Sequence, residues 1–476
     1  MTFPGTATVN LSRPAPFRLR AEDAERLTGG RWHGQPREAT VRGAAIDSRR
    51  VSPGCLFACL PGERVDGHDF AAAAVGSGAG LVLASRPVKV PAPVLVVRDV
   101  AAALGALAGE FRARTQGCTW IAVGGANGKT TTKELIAAAL RAGTREPVLV
   151  TQGNLNNHLG VPLTVLSLPE RARYAVVEIG TNHPGELPPL AAIVRPDHAC
   201  VVSIGPEHLE GFGDLAGVTR EECALFAALP AGRPAFLGVH GLDAQAAAHG
   251  TSAEALTALA RGLAGGRDLV LSGLPGGDEL TTPAGSAALG LLGQHNRANA
   301  WLAWQVAVAA GIDGREALLG IAAVRATPGR MRPLRLGEHL VIDDCYNANP
   351  ASMSAGLAVL ATRSGRRLAV LGHMGELGAA SAHGHALVGE AAARAGAALI
   401  AVGPLAQPIL AAYRAAGGAD GQAATDREAA ATAAVAWMKA GAAATVLVKG
   451  SRSAHLEDAL CGICEAFGSK FPGGVH

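Results

Sequence analysis

Short, wholly apolar runs alternate along this chain with alanine-rich, helix-like stretches, and most runs stop at a glycine, an asparagine or a charged residue. Between about residues 20 and 114 the runs are VRGAAIDSRR, GCLFACLPG, AGLVLAS and PVLVVRD. Among them a polar, glycine-bounded loop, GERVDGHDF at 62–70, leads into an alanine-rich helix. From Thr115 to about Ala326 they are WIAVGG, VLVTQGN, YAVVEIG, HACVVSIG and RPAFLG. From Thr327 onward they are LVIDDCYNANP, RLAVLGHM, AALIAVG and ATVLVKG. A run that is apolar at every position suits a strand buried on both faces. Strands alternating with helices build a mostly parallel sheet, whose ligands collect at the C-terminal ends of the strands. The pattern predicts an α/β protein of three domains: a small α/β domain over 1–114, a central nucleotide domain over 115–326, and a third α/β domain over 327–476.

Length agrees, since 476 residues suffice for roughly three domains. With 49% hydrophobic and 17% charged residues the chain reads as soluble and able to bury ample core, and with only 4% aromatics Ala, Val and Leu must fill it. A net charge of +3 argues against a surface that coats nucleic acid, so any anionic ligand is held locally. The start, MTFPGTATVNLSRPAPFRLR, lacks the basic segment and apolar core of a signal peptide and reads as a flexible lead. An uncharged run over 395–413 has nearly the length of a membrane span. Gly403, Pro404 and Pro408 interrupt it, which predicts a strand, a turn and a helix instead. Eight cysteines in so long a chain form no disulfide framework and suit a reducing cytoplasm. Cys461 and Cys464 have the spacing of a redox or zinc pair, but with no second pair they read as two small core residues on one helical turn.

The chemistry gathers around WIAVGGANGKTTTKE at 120–134. An apolar strand feeds the loop Gly124, Gly125, Ala126, Asn127 and Gly128, and a helix opens on Lys129, Thr130 and Thr131. Small loop residues let backbone N–H groups approach an anion at the helix N-terminus, with the Lys129 ammonium for terminal phosphates and the Thr130 hydroxyl for magnesium. Only three residues separate Gly124 from Gly128, one fewer than GxxxxGK[ST] has. A plain glycine turn is the alternative; ATP is the expected ligand. Glu178 sits inside the apolar run VVEIG, where a carboxylate is costly unless it is paired or binds a cation. Either a salt bridge or a magnesium ion shared with Thr130 would answer that cost. His208 follows the next strand, which opens metal and phosphate roles beside that of a surface loop. Asn296 and Asn299 fall three apart on one helical face, where amides can read an adenine edge or cap the helix. Arg330 lies in a linker that can point back to the phosphates. Asp343 and Asp344 end a strand before Tyr346, Asn347, Asn349 and Pro350, more like a ligand loop than a fold element. GHMGELG at 372–378 and KGSR at 449–452 end further strands the same way and suggest a second substrate pocket. Asp47, Ser48 and Arg49 follow a strand end in the first domain, as a ligand loop or as a solvated turn.

Together GKTTTKE, GNLNNHLGVPLTVL, HLEGFG, GQHNRANA, DDCYNANPASM, GHMGELG and KGSR resemble, in order, the motifs of the Mur ligases, ATP-dependent enzymes that add amino acids to the peptidoglycan precursor. The resemblance runs from Asp47 to Arg452, and DDCYNANPASM and GHMGELG are selective for the member that adds a dipeptide. It implies an N-terminal domain for the UDP-sugar, a central P-loop ATPase domain, and a Rossmann-like C-terminal domain that closes over ATP and admits the amine. The implied substrates are UDP-N-acetylmuramoyl-tripeptide and D-alanyl-D-alanine, joined through an acyl phosphate in the cytoplasm by a monomer using ATP and two magnesium ions. By the same likeness Lys129 binds the γ-phosphate, Thr130 and Glu178 hold the first magnesium, and His208 serves the second. Asn296 and Asn299 lie near adenine, Arg330 and Asp344 clamp the nucleotide, Asn154 belongs to the active site, and Asp47, Ser48, Arg49 and GERVDGHDF receive the UDP end. Tyr346, Asn347 and Asn349 would line the pocket of the incoming substrate.

One departure matters. Family members usually carry, after HLEGFG, a lysine whose carbamate ligates the second magnesium; here VTREECALF at 218–226 has none, and Glu222 falls at its position. Glu222, or Glu221, is expected to ligate that metal directly or through water. Gly124 and Ser203 stand where the family more often has Thr and Asn. Another peptide-adding ligase and a folylpolyglutamate synthase-like enzyme are neighbouring readings against which DDCYNANP and GHMGELG speak. A nucleotide-gated binding protein that has lost catalysis with the lysine is the rival of a different class.

Overall fold

The apolar runs are strands, and those without polar alternation are covered on both faces. The computed structural model describes residues 15–34, 38–62, 65–375 and 377–471. The lead expected over 1–14, Glu63 and Arg64 of the GERVDGHDF loop, and Glu376 of GHMGELG lie outside the described residues.

In the first unit a five-stranded sheet runs in the order Arg31–His33, Val94–Val96, Leu81–Ala84, Leu56–Ala58, Ala44–Ala45, parallel except for its first pair. A small antiparallel pair, Phe17–Leu19 with Ala39–Val41, stands beside it. The middle sheet is wholly parallel, in the order Leu269–Ser272, Ala235–Gly238, His198–Val201, Thr119–Gly124, Tyr174–Glu178, Val148–Val150. From Thr119–Gly124 the chain goes first to the edge strand Val148–Val150, returns to insert Tyr174–Glu178 between the two, and then builds outward on the other side. Thr119–Gly124 therefore lies at the topological switch point, where the crevice of an open α/β sheet forms. Leu269–Ser272 and the hairpin Leu280–Thr282 with Gly285–Ala287 extend the expected set of strands.

The third sheet runs Arg332–Leu336, His339–Asp344, Ala444–Lys449, Arg366–Leu371, Ala398–Val402, Gly421–Ala424, antiparallel only in its first pair. Its last strand in sequence is inserted at its centre. Lys449 pairs in register with Asp344 on one side and Leu371 on the other, so DDCYNANP, GHMGELG and KGSR emerge side by side.

Packing joins the first two units. The fully buried Leu104 and Leu107 lie on the helix Val100–Arg114, which packs on Gly160–Leu166 and Leu187–Val194. One apolar cluster runs from Phe17 and Leu56 through Leu104 to Trp120 and Val177. The boundary expected at 114/115 thus falls within a shared core. The other face of the middle sheet is covered by Lys129–Ala142, Gln294–Ala309 and Gly314–Ala322, while the third sheet has apolar clusters of its own on both faces. Residues 395–413 include the strand Ala398–Val402 and enter the helix Ala406–Ala415. No helix among the described residues is long and apolar enough to cross a membrane. Cys461 and Cys464 lie on the helix Leu456–Ala466, and all eight cysteines are free thiols.

Candidate functional site

The strand Thr119–Gly124 ends in a loop whose Gly125 and Gly128 have φ of +117° and +85°, values that glycine adopts at little cost. A Cβ on Gly125 would stand 2.7 Å from the Val202 nitrogen, so the next strand approaches too closely for any side chain. The helix opens at Lys129, as expected. The Lys129 ammonium is turned onto the carbonyls of Gly125 and Ala126 and lies 3.7 Å from the Glu207 carboxylate. Burial works against its charge, but Glu207, Glu222 and Glu178 outweigh burial and hold its pKa above the ordinary lysine value. Ser203 staples the loop: its hydroxyl accepts from the Asn127 N–H and donates to the Asn127 carbonyl, at 2.9 and 3.0 Å.

Both alternatives for Glu178 hold at once. Its carboxylate lies 3.4 Å from the Lys133 ammonium and also accepts from the Thr130 hydroxyl at 3.0 Å and from the Asn156 amide at 2.8 Å, and it opens on the cleft. A hydroxyl and a carboxylate are hard oxygen donors. Among the described residues no group of three or more His, Cys, Asp or Glu could hold a metal ion. A sparse oxygen set suits magnesium, which keeps several waters and takes its other ligands from substrate phosphates, so the residues present fit that ion. His208 has a left-handed backbone, φ +43°, at the start of the short helix Leu209–Phe212, and walls the same cleft.

The structure corrects the expectation for Glu222. It is fully buried and accepts a hydrogen bond from the Gly125 N–H, behind the phosphate loop rather than on the cleft wall. A Cβ on Gly124 would stand 2.8 Å from its Oε2, so two departures from the family pattern are one: glycine at 124 makes room for glutamate at 222. Glu221 turns away, accepting from the N–H groups of Gly185 and Leu187 and from the Thr181 hydroxyl. The buried Oε1 atoms of Glu222 and Glu207 lack partners while both groups are ionised. Burial first, and Glu207 next, push the Glu222 pKa well up, and a proton on Glu222 lets it donate to Glu207.

An acid whose folded-state pKa is raised supports the fold below its unfolded-state value and loses that support as pH rises toward the folded one. Glu222→Gln keeps an acceptor for Gly125 and a donor for Glu207 at every pH. Calorimetric melts taken upward from the ordinary glutamate range are expected to show the wild type losing stability relative to this variant. The half-saturating magnesium concentration for turnover is expected to stay unchanged.

Across the cleft, the linker and the third sheet complete the wall. Asp343 accepts from the Gly329 N–H and pairs with Arg332 at 2.9 Å, fixing the linker. Asp344 faces inward: it accepts from the Met331 N–H at 3.1 Å and pairs with the Lys449 ammonium at 2.7 Å, which also donates to the Asn347 carbonyl at 3.0 Å. Arg330 lies over the Tyr346 ring, 4.2 Å from its centroid. The Asn349 amide donates to the Asn127 side chain at 2.9 Å, so the third unit touches the phosphate loop itself. Asn296 returns its amide to the Leu292 carbonyl, and Asn299 donates to Asn296 while packing on Gly128.

One cavity of about 840 Å3 is walled by residues of all these segments: Ala126 to Thr131, Asn154, Glu178, His208, Asn296, Asn299, Arg330, Asp344, Tyr346, Asn347 and Asn349. Gly124 and Gly125 lie behind it, and Asp47, Ser48 and Arg49 are not on its wall. The Asp47 carboxylate accepts from the backbone and side chain of Arg49, whose guanidinium holds its pKa down to about 2. His68, in the glycine-bounded loop, is buried between Asp66 and Ser85. Sequence reasoning missed Lys133, Asn156, Glu207 and Lys449. Three of them stand in quoted motifs, Lys133 in GKTTTKE, Asn156 in GNLNNHLGVPLTVL and Lys449 in KGSR, and the spacing of Lys133 one helical turn past Lys129 was the available signal.

A parallel middle sheet with a phosphate loop at its switch point, faced by a mostly parallel α/β sheet whose Asn349 amide reaches that loop and whose Asp344 and Lys449 wall the same cavity, defines the class. The chain belongs to the Mur ligase family: the Mur ligase middle domain matches residues 123–307, the Mur ligase glutamate ligase domain 329–452, and the Mur ligase family catalytic domain 40–112. It is 38% identical over 434 residues to the UDP-N-acetylmuramoyl-tripeptide--D-alanyl-D-alanine ligase of Escherichia coli K12, covering 89% of this chain and 94% of that one. To the ligase of the same description from Bacillus subtilis 168 it is 33% identical over 372 residues, 75% of this chain and 78% of that one. Its fold is similar to that of MurF from Acinetobacter baumannii, with a TM-score of 0.80 at 30% identity over 94% of this chain and 99% of that one.

Proposed function

We propose that this chain is an ATP-dependent ligase that joins D-alanyl-D-alanine to the terminal carboxylate of UDP-N-acetylmuramoyl-tripeptide, acting as a cytoplasmic monomer in the peptidoglycan synthesis on which cell wall, shape and division depend. One observation carries the reading: Lys129, the Thr130–Glu178 pair and the Asp344–Lys449 pair, from two different sheets, wall one cavity.

The chain's groups have separate parts in this reading. The Gly125–Gly128 turn and the helix N-terminus cradle the triphosphate, and Lys129 leaves the loop carbonyls and Glu207 for the γ-phosphate. Thr130 and Glu178 hold the first magnesium and His208 attends the second; bound magnesium supplies charge neutralisation across the phosphates. Asn296 and Asn299 border the adenine, while Arg330 and Asp344 bring the third unit onto the nucleotide. Asn154 positions the tripeptide's carboxylate, and Tyr346, Asn347 and Asn349 the dipeptide. Asp47, Ser48 and Arg49 take the distant UDP end.

An oxygen of the tripeptide carboxylate attacks the γ-phosphorus as the bond to ADP breaks. The dipeptide's amine then attacks the activated carbonyl, phosphate leaves, and the nitrogen loses a proton. No protein nucleophile is needed; positioning and charge neutralisation supply the rate. Phosphate release is expected with ATP, magnesium and both peptide substrates together, and at background when either peptide substrate is omitted or magnesium is chelated. Equal release without D-alanyl-D-alanine would sink the proposal.

A further inference from the structure

Lys133 has no part in the chemistry above, yet its side chain is fully enclosed beside the cleft, with no exposed surface. A lysine on a helix ordinarily keeps its ammonium in water, and burying one is costly unless its donors are used and its charge is matched. Here both conditions are met. The ammonium donates to the carbonyls of Thr151 at 2.8 Å and Gly153 at 3.1 Å, and it lies 3.4 Å from carboxylate oxygens of both Glu178 and Glu134.

The two carbonyls belong to the segment that leaves Val148–Val150, a three-residue strand at the edge of the middle sheet. Such a short edge strand has a ladder on one side only and holds the adjoining segment weakly. That segment continues into Asn154, Asn156 and Asn157, all on the cleft wall, and Asn156 donates back to Glu178. The Thr151 hydroxyl also accepts from the Glu178 N–H at 2.9 Å. Helix, edge segment and Glu178 thus meet on one ammonium.

We infer that Lys133 is a positioning residue that ties the phosphate-loop helix to residues 151–157, coupling the nucleotide end of the cleft to the end that orients the carboxylate substrate. The inference rests on the proposed function only for the identity of that substrate.

Lys133→Met removes charge and donors at similar length, and Thr151→Val cuts the tie to Glu178 without unburying a charge. In the free protein, amide hydrogen exchange over 151–157 is expected to rise about tenfold in Lys133→Met, and less in Thr151→Val, with the global melting transition retained. In turnover the KM for UDP-N-acetylmuramoyl-tripeptide is expected to rise about tenfold, while the affinity for ATP measured without magnesium stays within about twofold.

Wild-type exchange over 151–157 in both variants would overturn the inference. So would a loss of ATP affinity in step with the rise in KM, since a general loosening of the fold does that. Should Lys133→Met fail to fold, Lys133→Met combined with Glu178→Gln, which removes the stranded carboxylate as well, decides by the exchange over 151–157. Should the wild type not use the tripeptide, the functional proposal fails while the exchange measurement still decides the role of Lys133.

Discussion

Lys129→Ala is expected to lower phosphate release by at least about three orders of magnitude, the scale on which a single cation serving a transferring phosphoryl group acts. Lys129 opens the helix at the phosphate loop, and the nearby carboxylates, Glu207 foremost, keep it protonated. An alanine there restores neither that charge nor its reach. The fold is expected to survive. Alanine suits the first turn of a helix, and the lost contacts go to two carbonyls of the loop and to Glu207, which is on the cleft wall. Urea denaturation should place the variant within about 2 kcal/mol of the wild type, the usual range for one point change. Substantial residual turnover from a folded variant would remove Lys129 from the role.

Lys449→Met is expected to cost about 3–5 kcal/mol of stability, because it strands the partner of a buried ion pair. Lys449 is 2% exposed and Asp344 8%, and their contact at 2.7 Å sits at paired ends of the central strands of the third sheet. Burial already pushes the Asp344 pKa up, against the opposing pull of Lys449. Without that pull it rises further, so the folded variant binds a proton that the unfolded chain gives up. The deficit should therefore widen as pH rises above the ordinary aspartate range and narrow in acid. Adding Asp344→Asn should recover much of the loss. Urea midpoints of the single and double variants at pH 5 and pH 8 provide the check, and turnover should be lost in the single variant at both.

How much the sequence made legible depends on how local each signal is. The phosphate loop could be read because small residues, a lysine and a threonine stand together between an apolar strand and a helix, and Glu178 stood out as a carboxylate in an apolar run. The third domain's loops were readable as strand ends. That they sit side by side depends on the insertion of Ala444–Lys449 at the centre of its sheet, a pairing across about a hundred residues that no local pattern encodes. Glu222 illustrates the same limit. Its residue type and place in the motif suggested a metal ligand, but its carboxylate is taken up by the Gly125 N–H and lies against Gly124, far away in sequence. Asp343 and Asp344 looked alike as neighbours. Strand alternation sends one to the linker and the other to Lys449. The shared core that carries the first unit into the second was hidden because an alanine-rich helix such as Val100–Arg114 does not announce which of its faces will be claimed twice.

The central position of Ala444–Lys449 also sets a timetable for synthesis. Every strand of the first two sheets has been made by Ser272 and the helices that cover the middle one by Ala322, so those units can consolidate while the remainder is still being translated. The third sheet stays split, His339–Asp344 apart from Arg366–Leu371, until almost the whole polypeptide has emerged. The newborn protein thus acquires its phosphate loop well before the partner surface that makes the loop useful, and a ribosome stalled short of residue 444 would release a chain with a nucleotide cradle and no lid.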